Sequence, residues 1–203
     1  MELIDAIKGR RSVRRYKPDP IPKEDIDKII ESACWAPSGS NMQQWKFIVI
    51  QNATLKEKLA SEIETVADEI IMEFEKDNDL ISRLKRGLPF YTFFRYAPIV
   101  IACVVEEVPS TSGKIMADRG AYSSTISIVG LSSVSAAIQN LLLTAYSMGY
   151  GTCWMTGPLI AKREMEEILG ITEPHHLIAL IPLGKPDETP PPKPRKDGVI
   201  EYR

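Results

Sequence analysis

The sequence predicts one domain in which helices are layered around a mixed β-sheet. Three observations carry that expectation. Ile99 to Val105 is apolar at every position, as a strand buried on both faces should be. From Leu131, the positions Val134, Ile138, Leu141, Leu142 and Ala145 recur in a nearly all-apolar helical pattern, which marks a central core helix. Helical and strand-like segments alternate, but without regular strand–helix–strand units. A chain of 203 residues that is 44% hydrophobic is long enough to bury such a core as a single domain.

Taken in order, Glu2 to Lys8 reads as a short helix turning Leu3, Ile4 and Ile7 inward and stopping at Gly9. Pro18, Pro20 and Pro22 hold an extended linker. Ile26, Ile29, Ile30, Ala33 and Cys34 recur at helical spacing after Pro22, and Pro37 ends that helix. Lys46 to Gln51 is a short buried strand. Leu55 to Phe74 continues a helical stripe through an acidic helix, broken at Asp77-Asn78-Asp79. A basic, aromatic piece, Leu80 to Arg95, follows, and residues 55–95 together form a helical, lid-like insertion between two core strands. After the strand Ile99 to Val105 comes a loop, Val108 to Gly120, and then an ambiguous Ser/Thr-rich stretch to Ser135. The core helix ends at Gly149. Gly151 to Met155 reads as a strand, Ala161 to Leu169 as a helix closed by Gly170, and Leu177 to Leu183 as another buried strand. Residues 186–203 form an extended C-terminal arm, with Val199 to Tyr202 as a final edge strand.

Composition excludes several functions. A net charge of −2 gives no general attraction to nucleic acid or an anionic membrane. Three cysteines without CxxC spacing fit a reducing cytoplasm better than a disulfide framework. No signal-peptide layout begins the chain. The apolar runs fall short of the ~20 residues a membrane helix needs. The two histidines, His175 and His176, are adjacent, so neither a histidine-based metal site nor a catalytic triad is expected.

Four segments carry polar chemistry. Arg10, Arg11, Arg14 and Arg15 lie within six residues, with Ser12 between them. An isolated cluster of this kind reads first as a solvated charge run. Guanidinium forks and a hydroxyl also match phosphate. Walker spacing is absent, which excludes a P-loop. Pro37-Ser38-Gly39-Ser40-Asn41-Met42-Gln43-Gln44-Trp45 is either a polar connection or a set of amide and hydroxyl groups facing a ligand. Gly149 to Pro158 follows a helix and has Trp154 where a last Rossmann glycine would stand, so it is not a dinucleotide loop. Lys193 and Arg195 sit in a proline-stiffened tail. Cys153 reads as a small buried hydrophobe, with no histidine near it in sequence to make it a nucleophile.

The ordered set of RRSVR, the PSGSNMQQW loop, the late glycine-hinged segment and the basic-proline tail resembles the FMN-dependent nitroreductase-like flavoprotein family, over nearly the whole chain. The resemblance implies an α+β fold, an α/β/α sandwich, in which two chains form an intertwined homodimer with FMN at the interface. It implies that Arg10, Arg11 and Ser12 hold the FMN phosphate, with Lys193 and Arg195 clamping it from the far side. Arg14 would lie by the pyrimidine edge. Pro37, Ser38, Gly39, Ser40, Asn41 and Gln43 would reach the flavin carbonyls from the partner chain. Trp154, Met155, Thr156 and Gly157 would run past N5. Gln44 departs from the family's proline, which leaves the path of that loop less defined.

The reaction implied is NADH or NADPH oxidation through flavin N5, with electrons passing to a nitroaromatic, quinone or similar small aromatic oxidant. Phe90 and Tyr91 are expected to form the wall on which such an acceptor stacks. Two rivals share the resemblance: a reductive dehalogenase of the iodotyrosine deiodinase type, and a flavin-binding protein without catalysis.

Overall fold

The computed structural model describes residues 1–108, 115, 118–119 and 127–203. The expected loop Val108 to Gly120 and the first part of the Ser/Thr-rich stretch fall largely outside the described residues.

Four strands form one sheet: β1 (Trp45–Ile50), β2 (Ile99–Glu106), β3 (Gly151–Thr152) and β4 (His175–Gly184), in the order β1-β2-β4-β3. All three strand pairings are antiparallel. The parallel component expected of a mixed sheet is confined, among the described residues, to a single bridge between Ser12 and Thr152.

The two central strands are buried on both faces, and alternation sorts their side chains into two cores. Ile99, Ile101, Cys103 and Val105 meet α2 (Lys23–Cys34) and the long α5 (Ile128–Ser147) on one side. Val100, Ala102 and Val104 meet α3 (Ala53–Glu73) and α6 (Lys162–Leu169) on the other, where α4 (Asn78–Thr92) also packs on α3. The register slips between Cys103 and Val104, so Cys103 faces Ala179 while Val104 faces Leu177. The extra residue, Ile178, turns to the same core as Ala179, as a bulge dictates.

Local chemistry fixes the helix ends. Asn52, Asp77 and Ser127 cap α3, α4 and α5, accepting from the backbone N–H groups of Leu55, Leu80 and Val129 at 2.9, 3.0 and 3.2 Å. Gly170 closes α6 at φ +65°, a left-handed conformation that favours glycine. Contrary to the expectation that the apolar runs fall short of a membrane helix, α5 is long and apolar enough to cross a bilayer by length and composition. Eight of its residues are buried within the domain, which accounts for that apolarity.

Three expectations need correction. The first helix, α1 (Leu3–Gly9), buries Ala6; Leu3, Ile4 and Ile7 are exposed on the single chain. Met155 lies beyond β3 and joins the sheet by one bridge to Leu180. Val199 to Tyr202 forms no strand pairing within the chain and is exposed.

Candidate functional site

The arginine segment is strapped across the end of the sheet. Ser12 pairs with Thr152, and Val13 N donates to Thr152 O at 2.9 Å. Tyr16 pairs with Pro186, Lys17 N donates to Lys185 O, and Asp187 N donates to Arg15 O, each of these two bonds 2.9 Å long. Glycines permit the close approach: a Cβ on Gly151 would lie 2.8 Å from Val13 Cβ. The half-buried Tyr16 hydroxyl donates to Val13 O, and desolvation favours the neutral phenol.

This strapping builds a basic pocket of about 160 Å³ lined by Arg10, Arg11, Ser12, Arg14, Pro190, Pro191, Lys193 and Arg195. The two ends of the chain therefore meet, and no carboxylate lines the pocket. Burial lowers the Arg10 pKa; the Cys153 thiol opposes this, while Arg11 and Arg195 add to it. Arg11 Nη1 donates to Lys8 O at 2.7 Å and Arg10 O at 2.8 Å, but its buried Nε has no partner among the described residues. Clustered cations and an orphaned donor fit an anion with several acceptor oxygens.

A second cavity of about 380 Å³ adjoins it, sharing Arg10 and Arg11 and lined also by Tyr146, Tyr150, Thr152 and Glu188. Thr152 is 1% exposed and its hydroxyl has no partner. Tyr150 donates to Asp25 Oδ2 at 2.6 Å, and burial, with the Asp25 hydrogen bond and charge, pushes the phenol up to about 12. Cys153 is buried against the arginine segment. Desolvation raises its pKa, against the pull of Arg14, Ser12 and Arg10, so the thiol form is favoured.

The second predicted segment lies elsewhere. Gly39–Asn41 makes a single turn of 3₁₀-helix after Pro37 and Ser38, and it packs on the start of α5. Gly39 N donates to Ser133 Oγ at 3.2 Å, and a Cβ on Gly39 would lie 2.3 Å from Val129 Cγ1. Ser38 Oγ accepts from Gln43 N at 3.0 Å, and Gln43 Nε2 donates to Asn41 Oδ1 at 3.3 Å. Ser40, Asn41 and Gln43 have φ of 52°, 54° and 48°. Three non-glycine residues in the left-handed region store strain in a loop that presents polar groups outward. None of the loop's residues lines the basic pocket. Gln44, the departure from proline, is buried, and its Nε2 donates to Glu106 O at 3.0 Å, extending the pairing of β1 with β2.

Trp154 and Thr156 are exposed, Met155 is buried, and Gly157 begins a 3₁₀-turn. Gly157 receives the ring of Tyr91: a Cβ there would sit 2.3 Å from Tyr91 Cδ1. The aromatic segment thus divides. Tyr91 and Phe94 pack inward, while Phe90 and Tyr96 are 59% and 74% exposed. Arg95 is tied to α3 by Glu64 at 2.8 Å and Glu57 at 3.4 Å.

Sequence reasoning missed Glu188, whose carboxylate sits on the Arg14 and Arg15 backbone. The tail holds four acids, Asp187, Glu188, Asp197 and Glu201, and nothing in the sequence singles out Glu188 among them. It also missed the orphaned Thr152 hydroxyl, which nothing in its strand context distinguishes.

The fold and sequence both have known relatives. A presumed NADH dehydrogenase/NAD(P)H nitroreductase of Methanothermobacter thermautotrophicus is 30% identical over 194 residues, covering 94% of this chain and 80% of the relative. A BluB-like flavoprotein from Clostridium difficile 630 superposes with a TM-score of 0.86 at 30% identity, covering 100% of this chain and 99% of its own. An oxidised iodotyrosine deiodinase, solved with FMN and 3-iodo-L-tyrosine, has a TM-score of 0.76 at 25% identity, with coverage of 100% and 99%. Residues 7–185 match the nitroreductase family, spanning the arginine segment, both cores and the whole sheet, and the chain belongs to that family.

Proposed function

We propose that the protein is an FMN-dependent oxidoreductase that takes electrons from NADH or NADPH and gives them to nitroaromatics, quinones or related aromatic acceptors. The observation that carries this reading is the convergence of Arg10, Arg11, Ser12 and Arg14 with Lys193 and Arg195 on a pocket that no carboxylate lines. A terminal phosphate supplies the negative charge such a pocket calls for, and an acceptor for Arg11 Nε. When bound, FMN supplies two-electron transfer between a nicotinamide and an acceptor.

The chain's own residues orient and charge the site. Arg14, one residue beyond the strand pairing of Val13, carries positive charge to the pyrimidine edge, where reduction deposits negative charge. Trp154, Met155, Thr156 and Gly157 form the rim by N5, held in place by Tyr91. Phe90 offers an exposed ring for stacking. The loop from Pro37 through Ser38, Gly39, Ser40 and Asn41 to Gln43 serves the site of a second copy. That none of its residues lines its own chain's basic pocket supports a homodimer, as do the exposed apolar side chains of α1 and the tail.

The test is the absorption spectrum of the purified protein. A yellow protein that releases FMN on denaturation, bleaches with NAD(P)H and regains colour with a nitroaromatic is expected. Bound FAD, or failure to take up FMN in a reconstitution trial, would overturn the reading.

Full-length likeness to a deiodinase supports a second reading, reductive dehalogenation. A deiodinase lid needs acidic, tyrosyl and basic groups to grip an amino acid. Here Glu69 and Glu73 are exposed on α3, but Phe74 stands where a tyrosine would help. Nitro or quinone reduction is therefore the preferred reading. Submicromolar binding of diiodotyrosine with iodide release would reverse that order.

A further inference from the structure

The Glu188 carboxylate sits at the base of the arm that carries Lys193 and Arg195. Glu188 Oε1 accepts from Arg14 N at 2.5 Å and from Arg15 N at 3.2 Å, and Oε2 lies 3.4 Å from Arg15 Nε. The pairings of Tyr16 with Pro186, Lys17 with Lys185 and Arg15 with Asp187 make a short ladder, and Glu188 is its last rung. Beyond Glu188, among the described residues, no backbone hydrogen bond ties 189–203 to the rest of the chain. Lys193 and Arg195 nevertheless reach the basic pocket. Between anchor and cations run Pro190, Pro191 and Pro192, and a proline run is a stiff rod that rises about 3.1 Å per residue. A stiff rod transmits the angle set at its base to its tip.

We propose that Glu188 is a positioning residue for the anion pocket: by anchoring the proline rod on the Arg14 and Arg15 amides it aims Lys193 and Arg195 at the phosphate held by Arg10 and Ser12. The proposal rests on the reading of that pocket as the FMN phosphate site. Two effects of Glu188 oppose each other. Its negative charge repels a phosphate, while its anchoring brings two cations to it. Removing the whole side chain separates them in sign. If charge dominates, FMN binds more tightly; if anchoring dominates, FMN binds more weakly.

The experiment titrates flavin-stripped, full-length wild type, Glu188→Ala and Glu188→Gln with FMN and with riboflavin, following flavin fluorescence and recording thermal midpoints. Riboflavin lacks the phosphate, so a change confined to the phosphate pocket shows as a difference between the two ligands. Glu188→Ala is expected to lose about tenfold in FMN affinity, as for one charged hydrogen bond, with riboflavin changed less than about twofold. Glu188→Gln keeps an oxygen that accepts from both amides and is expected to stay within about threefold of wild type for FMN. An equal loss for both flavins in Glu188→Ala would make the residue generally structural and overturn the proposal. Unchanged or tighter FMN binding would overturn it as well. Wild type that does not prefer FMN over riboflavin would instead overturn the phosphate assignment itself.

Discussion

At the scale of single residues, Arg14 is held by its backbone and leaves most of its guanidinium uncommitted. Its N–H meets Glu188, while Nη1 reaches only Ser12 O, at 3.3 Å. Arg14→Ala should therefore lower the flavin reduction potential and leave the fold intact. A lost charged hydrogen bond of roughly 1.5–3 kcal/mol corresponds to ~30–65 mV for a two-electron couple, read by dye-coupled reduction. An unchanged potential would place Arg14 away from the ring. Tyr150 gives a prediction of the opposite kind, about stability. Its folded pKa is raised to about 12 from the ordinary tyrosine value of about 10, so the folded state holds a proton that the unfolded state has already lost between those values. Stability from this group is full below about pH 10 and falls as pH rises toward 12. Tyr150→Phe should flatten that fall in urea melts, and it should cost roughly 1–3 kcal/mol at neutral pH by leaving Asp25 without its donor. Residues of this sort differ in how far sequence reveals them. Arginines, a serine and a tail lysine announce an anion site by type. A glutamate that meets two amides 173 and 174 positions away does not.

At the scale of elements, the aromatic half of the insertion is where pattern and packing part company. Composition showed that Phe90, Tyr91, Phe93, Phe94 and Tyr96 are too dense to face one way, and the structure divides them. It could not show which ring goes where, because Tyr91 is drawn inward by the absence of side chains at Gly87 and Gly157, the latter 66 residues away. Two substitutions should consequently behave differently. Tyr91→Ala removes a partly buried ring packed against a core cluster and should destabilise by about 1–3 kcal/mol, less than truncation of a wholly buried aromatic. Phe90→Ala removes an exposed ring and should leave the thermal midpoint nearly unchanged while slowing nitroaromatic reduction. Equal loss of stability in both, or full activity in Phe90→Ala, would contradict this division. Strands β2 and β4 and helices α2 to α6 were legible because unbroken apolar runs and helical stripes admit few other structures. The inward face assigned to α1 was not. Leu3, Ile4 and Ile7 do form a stripe, but a stripe says only that something covers it, and within one chain nothing does.

At the scale of the whole molecule, that uncovered stripe, exposed Trp35 and the apolar tail residues Val199, Ile200 and Tyr202 call for a second copy. Light scattering should return a dimer. Ile7→Glu, on the exposed face of α1, should shift it toward monomer and reduce flavin retention in parallel. A monomer that keeps FMN tightly would refute an interfacial site. Within the chain the two ends of the polypeptide have unequal holds. Both helical layers share one sheet, so neither core can open without stripping water exclusion from strands that the other core also needs. The arm beyond Glu188 shares nothing with either core. If the arm completes an FMN site as proposed, it should be able to peel away while the rest stays folded, so that losing the cofactor and losing the fold become separate events. Heat or denaturant should then release the flavin, read as a rise in flavin fluorescence, before it unfolds the protein, and restoring mild conditions should let the same chains take flavin up again without refolding.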